Sequence, residues 1–258
     1  MVQLVLRIIL ILNILTWAFI KLLKMKKILI IKKIHESGIQ ILNNRKDYSF
    51  EIVENLENDF LKNKLKDCDA ISLRTSKFNK ELIESSPKLK IISRHGVGYD
   101  NIDLVSAKSK NITISITSNS LAATVAEHVF FMMLNISRGG DLYNKIVKEG
   151  NFSERKTLPL AKELWKKNIL IIGFGRIGKN LIKKCIGFDM NVFVFDPFID
   201  AKTISNLGGK KTENFHETIR EMDYISIHAP YTEKSKNLLN IKVFNSMKKN
   251  SIIINTSR

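Results

Sequence analysis

The chain is poor in cysteine and lacks the cysteine patterns that bind metals or form disulfides. Its 258 residues include two cysteines, Cys68 and Cys185, which form neither a CxxC pair nor a His/Cys cluster with zinc-ligand spacing. Metal and redox motifs need closely spaced ligands, and disulfide frameworks belong to small secreted domains in oxidising compartments. We therefore expect no metal site, two free thiols and a cytoplasmic protein.

Acidic residues are also scarce. The chain has 25 Asp and Glu against 42 Lys and Arg, which gives a formal net charge of +17. Such a charge raises the question of a nucleic-acid partner. The lysines are scattered along the chain, however, and no nucleic-acid motif accompanies them. General basic charge alone gives only weak, salt-sensitive attraction. We expect no nucleic-acid partner, and the abundance of Lys, Ile and Asn indicates an AT-rich coding bias.

The first 24 residues lack the length of a full membrane span and the cleavage site of a signal peptide. The segment Leu4–Leu23 is apolar, but its uncharged core Ile8–Ile20 is shorter than the roughly 20 residues that cross a bilayer. The lysines that follow favour a cytoplasmic position for the rest of the chain. Three interpretations stay open: a signal-anchor, an interfacial helix, or a start codon placed too early, because Met25 opens a good first strand. A membrane contact is expected only for a true anchor.

From Met25 onward the chain shows no internal repeat and no low-complexity linker, and short apolar runs alternate with helical patterns. Such alternation predicts parallel sheets with helical crossovers. We expect an α/β protein with two doubly wound, Rossmann-like domains, residues 25–118 and 119–258, the second incomplete at its C-terminal end. The predicted strands are Ile28–Ile31, Phe50–Val53, Ala70–Arg74, Lys90–Ser93, Ile112–Ile116, Ile169–Ile172, Val192–Phe195, Tyr224–His228 and Ser251–Asn255.

One predicted helix begins at Ile39, and a second, charged one follows Val53 and runs to Lys66. The other predicted helices span Thr124–Ser137, Arg176–Ile186, Phe215–Glu221 and Ile241–Met247. In the longest one, Thr124 and Glu127 stand at the spacing of a capping box, which predicts the start of that helix. The polar segment Asn151–Lys167 is predicted to be mostly loop.

A glycine motif gives the first chemical signal. Gly173, Gly175 and Gly178 form GxGxxG between an apolar strand and a helix, the context that a dinucleotide-binding fingerprint requires. The three glycines suit a tight turn, close approach of a pyrophosphate and close helix–strand packing, and the helix N-terminus offers free N–H groups to phosphates. Asp196 follows the next strand, 18 positions after Gly178. Its carboxylate can bind ribose hydroxyls and would repel a 2′-phosphate, so we expect NAD as the cofactor.

Several further motifs occur in a fixed order with this fingerprint, and together they resemble the D-isomer-specific 2-hydroxyacid dehydrogenases. The resemblance extends from about Met25 to the last residue, and the segment that begins at Gly150 resembles the D-3-phosphoglycerate dehydrogenase branch. The motifs are Arg94-His-Gly-Val-Gly-Tyr-Asp-Asn-Ile-Asp103, Thr124-Val-Ala-Glu-His128, Gly173–Gly178, Asp196-Pro197, His228-Ala-Pro230 and Asn255-Thr-Ser-Arg258.

The resemblance implies a substrate domain in residues 25–118, an NAD-binding domain in residues 119–258, and a role for each matched position. Val97 and Gly98 would hold the substrate carboxylate through backbone N–H groups, a task that a glycine-rich turn can perform. Arg74 would lie near the substrate. Arg258 would be the catalytic arginine that grips the carboxylate and carbonyl oxygens, which suits a planar guanidinium.

The resemblance also implies the positions that contact the cofactor. Gly173, Gly175 and Gly178 form the loop, Asp196 binds the ribose, and His228 belongs to a strand-end motif and is not the family's catalytic histidine. The other implied contacts are Arg176 and Ile177 on the pyrophosphate, Ala229 and Pro230 along the pocket, and Thr256 and Ser257 at the nicotinamide end.

In this family a histidine paired with a glutamate donates the proton, and both follow the arginine motif. The chain ends at Arg258 and none of its five histidines matches that position. We therefore expect this polypeptide to lack most catalysis, since general acid–base help is worth about 10²–10⁴-fold, and to be less stable because the strand Ser251–Asn255 lacks covering neighbours.

The expected reaction is hydride transfer between NAD and a D-2-hydroxy acid. A phosphoglycerate substrate is favoured because Arg74, Arg94 and His95 suit a phosphate. A glyoxylate or hydroxypyruvate reductase is the alternative, and a non-catalytic NAD-binding module or an inactive fragment is the alternative of another class. The family implies a homodimer at full length, formed through the region of the long helix Thr124–Ser137.

Overall fold

The computed structural model describes residues 25–118, 120–233 and 235–257, and the chain divides into two compact units after Ser118. The predictions for the apolar segment Leu4–Leu23 and for Arg258 fall outside the described residues. Among the described residues, no helix is both long and apolar enough to cross a bilayer. The same residues contain no group of three or more His, Cys, Asp or Glu side chains that could hold a metal ion.

Unit 1 is a five-stranded parallel sheet with the strand order β2-β1-β3-β4-β5. Its strands are β1 (Lys26–Ile31), β2 (Tyr48–Val53), β3 (Ala70–Leu73), β4 (Ile91–Arg94) and β5 (Thr113–Ile116). Its helices are α1 (Glu36–Asn43), α2 (Asn58–Leu65), α3 (Lys80–Glu84) and α4 (Leu104–Ser109). Parallel neighbours need such crossovers, because a tight turn can join only antiparallel strands.

The centre of this sheet is apolar on both faces. Leu29, Ile30 and Ile31 of β1 are all buried, as expected for a central strand of a parallel sheet covered on both sides. Leu61 and Leu65 of α2 pack into the same core. The apolar runs that predicted the strands therefore form the centre of unit 1.

Unit 2 is a second five-stranded parallel sheet, with the order β10-β9-β6-β7-β8. Its strands are β6 (Asn168–Ile172), β7 (Asn191–Phe195), β8 (Lys210–Lys211), β9 (Tyr224–Ile227) and β10 (Ile252–Asn255). Its α-helices are α5 (Ala122–Arg138), α6 (Gly140–Lys148), α7 (Arg176–Gly187), α8 (Ala201–Ser205), α9 (Phe215–Thr218) and α10 (Ile241–Ser246), with 3₁₀ turns at Phe152–Lys156 and Ile219–Glu221.

The sheet of unit 2 is buried on both faces by different helices. Residues of α5 and α7 pack with Ile169 and Ile171 on one face. Residues of α9 and α10 pack with Leu170 and Ile172 on the other. The apolar side chains of β6 thus alternate between two cores, which is the doubly wound arrangement, and the predicted fold class is confirmed.

Both units fix the amino ends of their strands with an equivalent aspartate. Asp69 precedes β3, and its Oδ2 accepts a hydrogen bond from the backbone N–H of Lys27 in β1, at 3.0 Å. Asp223 precedes β9, and its Oδ2 accepts one from the backbone N–H of Asn168 in β6, at 2.9 Å. In each unit the carboxylate therefore ties the first strand to its neighbour with a charge-assisted bond.

This equivalence is also visible in the sequence, although the chain has no continuous repeat. Ile-Leu-Ile-Ile occurs at 28–31 and again at 169–172, and Asp-x-Ile-Ser occurs at 69–72 and again at 223–226. The matches are only four residues long and lie on separate strands, so they form no continuous period. They mark corresponding strands of two similar sheets.

Each predicted strand and helix is present in the described structure, with ends that shift by a few residues. The predicted capping box is wrong, because α5 begins at Ala122 and its N-cap is Leu121, which makes no side-chain cap bond. Thr124 and Glu127 therefore lie inside the first turns of the helix.

The helices that the sequence analysis did not predict are α3, α4, α6 and α8. Three of them have five or six residues, too few for an apolar period to show. The fourth, α6, directly follows α5, because Gly139 adopts a left-handed conformation with φ of 63° that ends one helix and admits the next.

Candidate functional site

The turn after β6 has room for glycine alone at its first position. Gly173 has a φ of 91°, and a Cβ there would lie 2.7 Å from the backbone N of Ala229 and 2.7 Å from the carbonyl carbon of His228. Both obstacles are backbone atoms and cannot rotate away. The loop after β6 is therefore pressed against the chain that leaves β9.

The third glycine sets the distance between helix and strand. A Cβ on Gly178 of α7 would lie 2.6 Å from the carbonyl oxygen of Gly173 and 3.3 Å from Cγ2 of Ile171. Phe174 turns into the core and is fully buried. The absence of a side chain at Gly178 thus lets α7 start directly above the strand.

The second glycine faces open space. Gly175 is the N-cap of α7, no side chain caps that helix end, and a Cβ on Gly175 would meet nothing within 4 Å. Arg176 in the first turn is exposed, whereas Ile177 packs partly against the core. An uncapped helix N-terminus with free space in front of it suits a phosphate group.

Asp196 lies immediately after β7 and binds the glycine loop. One carboxylate oxygen accepts a hydrogen bond from the backbone N–H of Phe174 at 2.7 Å. The other accepts one from the backbone N–H of Phe198 at 2.9 Å. Each carboxylate oxygen can accept more than one bond, so the side chain retains capacity for ribose hydroxyls. The sequence analysis missed the bond to the loop, because no motif spacing reports it.

The residues expected at the other end of the cofactor follow β9 and β10. Ala229 packs against the second core of unit 2, and the carbonyl of Pro230 accepts a bond from the hydroxyl of Ser235 at 2.6 Å. The backbone N–H and the hydroxyl of Ser257 both donate to the side-chain oxygen of Asn255, at 3.0 and 2.6 Å. These turns are therefore held by local bonds.

His228 lies directly after β9 and is half-buried. Burial lowers the pKa of His228 to about 4, so its imidazole is neutral at pH 7. Its Nε2 lies 2.8 Å from the hydroxyl of Ser226. Its Nδ1 and the Oγ1 of Thr256 are buried without a hydrogen-bond partner among the described residues.

In unit 1, the loop after β4 is built around a buried arginine. Arg94 is 2% exposed and donates to the carbonyl of His95. Gly96 has a φ of 143°, and a Cβ there would lie 2.7 Å from Cζ of Arg94. Val97 is exposed and Gly98 half-buried. The backbone that would hold a carboxylate therefore lies at the surface of the unit.

Arg74 directly follows β3 at the same edge of the sheet of unit 1. Its side chain is exposed, and its Nη1 donates to the carbonyl of Lys33 at 3.3 Å. The side chain of Asn101 donates to the carbonyl of Ser76 at 2.7 Å and so connects the two loops. The positions expected to contact the substrate in unit 1 are thus gathered at the carboxyl ends of its strands.

Residues 130–258 match the model of the D-isomer specific 2-hydroxyacid dehydrogenase family, NAD binding domain. The chain belongs to this family. It is 32% identical over 235 residues to the D-3-phosphoglycerate dehydrogenase of Methanocaldococcus jannaschii, a match that covers 91% of this chain and 44% of that protein. It is also 32% identical to the glyoxylate reductase of Thermococcus litoralis, covering 90% of this chain and 72% of that protein.

Solved structures agree with this assignment. The NAD⁺-bound 3-phosphoglycerate dehydrogenase of Entamoeba histolytica is 25% identical, with a TM-score of 0.74 over 91% of this chain and 72% of that one. This chain spans less than half the length of the Methanocaldococcus relative. The family and its NAD cofactor are thereby shown, and the residues fit that cofactor through the space at Gly175 and through two buried polar atoms, of His228 and Thr256, that have no partner among the described residues.

The three glycine environments predict separable effects of three alanine substitutions. Gly173→Ala should lower the free energy of unfolding by about 2 kcal/mol or more, because it combines a left-handed φ with backbone overlap.

Gly175→Ala should leave stability within about 0.5 kcal/mol and weaken NAD binding about tenfold or more, because its methyl group enters the space for the phosphates and displaces a charge-assisted bond. Urea denaturation and NADH fluorescence titration measure the two effects.

Gly187→Ala is the matched control, since Gly187 ends the same helix and a Cβ there would meet nothing within 4 Å. It should change neither quantity adversely, and glycine-to-alanine at a compatible helical position adds about 0.4–1 kcal/mol of stability. Equal NAD binding by Gly175→Ala and the unchanged chain would contradict the placement of the pyrophosphate.

Proposed function

We propose that this chain is the NAD-binding and substrate-binding part of an oxidoreductase that transfers a hydride between nicotinamide and a D-2-hydroxy acid. The observation that carries the proposal is the bond from Phe174 N–H to Asp196, which links the glycine loop to the carboxylate that we propose binds the adenosine ribose. A carboxylate at that position binds hydroxyls and repels a 2′-phosphate, which supports NAD over NADP. A cytoplasmic location is part of the same proposal.

The proposed substrate contacts are those that the family resemblance implies. Val97 and Gly98 would donate backbone N–H groups to the substrate carboxylate, and Arg74 would lie beside it. Arg258 would bind the carboxylate and the carbonyl oxygen. The planar fork of a guanidinium binds paired oxygens.

The phosphorylated substrate class is supported by the charge at the carboxyl edge of unit 1. Arg74 and His95 are both exposed there, and an arginine can bind a phosphate with two parallel hydrogen bonds. Arg94, which was also expected to suit a phosphate, is buried and does not add to this support. The relatives include phosphoglycerate dehydrogenases, glyoxylate reductases and a hydroxypyruvate reductase at similar identity, so a reductase of smaller 2-oxo acids is the second candidate.

The substrate class can be tested by titrating single 2-oxo acids into the chain saturated with NADH and following NADH fluorescence, which requires no turnover. We expect 3-phosphohydroxypyruvate to bind more tightly than glyoxylate or hydroxypyruvate. The reversed order would favour the second candidate. NADH binding without binding of any of these acids would instead favour the non-catalytic module.

Asp196→Ala is predicted to change cofactor choice and also to loosen the glycine loop. Removing the carboxylate abolishes repulsion of a 2′-phosphate, so the ratio of NADPH to NADH affinity should rise. The affinity for both should fall, since the N–H groups of Phe174 and Phe198 lose their acceptor. Titration of both cofactors measures this, with Asp200→Ala as a control in the same loop. An unchanged ratio, or equal use of NADPH by the unchanged chain, would contradict the assignment.

A homodimer through the region of α5 is also proposed. Phe131 and Ile136 of α5, Leu142 and Val147 of α6 and Phe152 after it are between 48% and 59% exposed. Exposed apolar surface of this kind is typical of protein interfaces.

Light scattering should give twice the chain mass, and Phe131→Glu should shift the measured mass towards that of the monomer. The control Phe198→Glu alters another exposed phenylalanine and should leave the mass unchanged. A monomer at every concentration would refute the dimer.

A further inference from the structure

A cavity of about 300 Å³ lies at the amino edge of the sheet of unit 2, where the strands begin. This edge is opposite to the one that carries the glycine loop, since Lys167 precedes β6 and Gly173 follows it. The five residues of β6 keep the two places about 17 Å apart. The charged residues that line the cavity are Lys162, Lys167, Lys248, Lys249 and Asp223.

The aspartate in this lining already has its partners. Oδ1 of Asp223 lies 3.1 Å from Nζ of Lys248, and its Oδ2 accepts the first backbone N–H of β6 at 2.9 Å. Within the described part of the chain, the ammonium groups of Lys162, Lys167 and Lys249 form no ion pair and no hydrogen bond. The cavity therefore holds three positive charges that no described carboxylate compensates.

The corresponding edge of unit 1 compensates its lysines. Asp69, the equivalent of the aspartate in the cavity, lies 3.3 Å from Nζ of Lys26. Asp67 lies 2.6 Å from Nζ of Lys88 and 4.0 Å from that of Lys27. Three lysines of this edge thus have an acidic partner within their own unit. The uncompensated charge in unit 2 is therefore not a general property of the sheet edge in this fold.

The backbone around the cavity is fixed before any ligand binds. The N–H of Lys162 donates to the carbonyl of Ser137 at 2.7 Å, and the carbonyl of Lys167 accepts the first N–H of β7 at 2.9 Å. The carbonyl of Lys248 accepts both the N–H and the hydroxyl of Ser251, at 3.0 and 2.8 Å. A site whose backbone is already ordered loses less entropy when it binds.

The sign and the size of the cavity indicate the class of its ligand. Charges of one sign between walls of low dielectric concentrate the field and attract the opposite charge. Lysine ammonium groups bind phosphate oxygens as point charges. Three uncompensated cations exceed what one phosphate requires and match two linked phosphates. A volume of about 300 Å³ admits a small molecule.

We propose that this cavity binds a small molecule with linked phosphate groups, at a site separate from the dinucleotide loop. Lys167 and Lys249 hold the phosphates from the starts of β6 and β10, and Lys162 adds the third charge. A ligand there connects the loops that open two neighbouring regions of the sheet. It therefore stabilises unit 2 by binding the folded state.

The test is a calorimetric titration of inorganic pyrophosphate into the 258-residue chain saturated with NADH, so that the dinucleotide loop is already filled. We expect pyrophosphate to bind. The double variant Lys167→Gln/Lys249→Gln should weaken it about tenfold or more, because it removes two charge-assisted contacts. Lys167→Arg/Lys249→Arg keeps both charges and should retain most of the binding.

The matched control is Lys26→Gln/Lys88→Gln, which removes the same two charges at the corresponding edge of unit 1. Both lysines are exposed and paired with aspartates there, and exposed pairs contribute little to stability. Pyrophosphate should bind this control as it binds the unchanged chain. An equal loss in the control would mean that pyrophosphate responds only to the net charge, and the site would be refuted.

The melting temperature separates a binding role of the lysines from a structural one. Without ligand, Lys167→Gln/Lys249→Gln should keep or raise the melting temperature, because it removes like charges that repel one another. Pyrophosphate should raise the melting temperature of the unchanged chain and not that of the variant. A lower melting temperature of the ligand-free variant would assign these lysines a structural role and contradict the proposal.

Two further outcomes would overturn the site. Pyrophosphate that binds the free chain but not the NADH-saturated chain would only be competing for the dinucleotide loop. A short oligonucleotide that binds more tightly than pyrophosphate, with the same loss in Lys167→Gln/Lys249→Gln, would replace the small molecule with a nucleic acid. If the chain does not bind NADH, the proposed function fails, while the variants still decide the cavity site in the absence of NADH.

Discussion

The arrangement of the cofactor site depends on one backbone contact, between Gly173 and the chain that leaves β9 at His228 and Ala229. The turn can approach so closely only because it has no side chain. That approach starts α7 directly over β6, leaves its N-terminus open at Gly175, and brings the loops after β6 and β9 together. Asp196 then holds the turn from the other side. A side chain at position 173 would separate these parts, whatever the other residues were.

The two units show how the same fold yields different sites. Lys32 and Gly173 follow corresponding strands, and both adopt a left-handed φ, of 68° and 91°. In unit 1 the next helix is capped by the side chain of His35, which accepts from the N–H of Ser37. In unit 2 no side chain caps α7. The open helix end, more than the sheet, distinguishes the unit that can receive a phosphate.

Nine of the ten described strands and the glycine loop were predicted from the sequence, because apolar runs and glycine spacing act locally. The strand β8 was missed because its two lysines form no apolar run. The sequence could not predict that Asp196 binds Phe174, or that Arg94 is buried under Gly96, because these contacts arise only when separate loops meet. The burial of His228 was also not predicted, because a histidine that matches no catalytic motif carries no local signal of burial. The four short or adjoining helices were missed because their lengths hide the helical period.

The bond between Asp196 and the glycine loop restricts how the cofactor preference of this chain can evolve. On the proposed assignment, one carboxylate would both select the ribose and support the turn, so a lineage that lost it to accept a 2′-phosphate would first pass through a weakened loop. A viable path would have to supply a new acceptor for the N–H of Phe174 before or together with the loss of the acid. The second role of the carboxylate would thereby protect the preference, and a single substitution would be a poor route away from it.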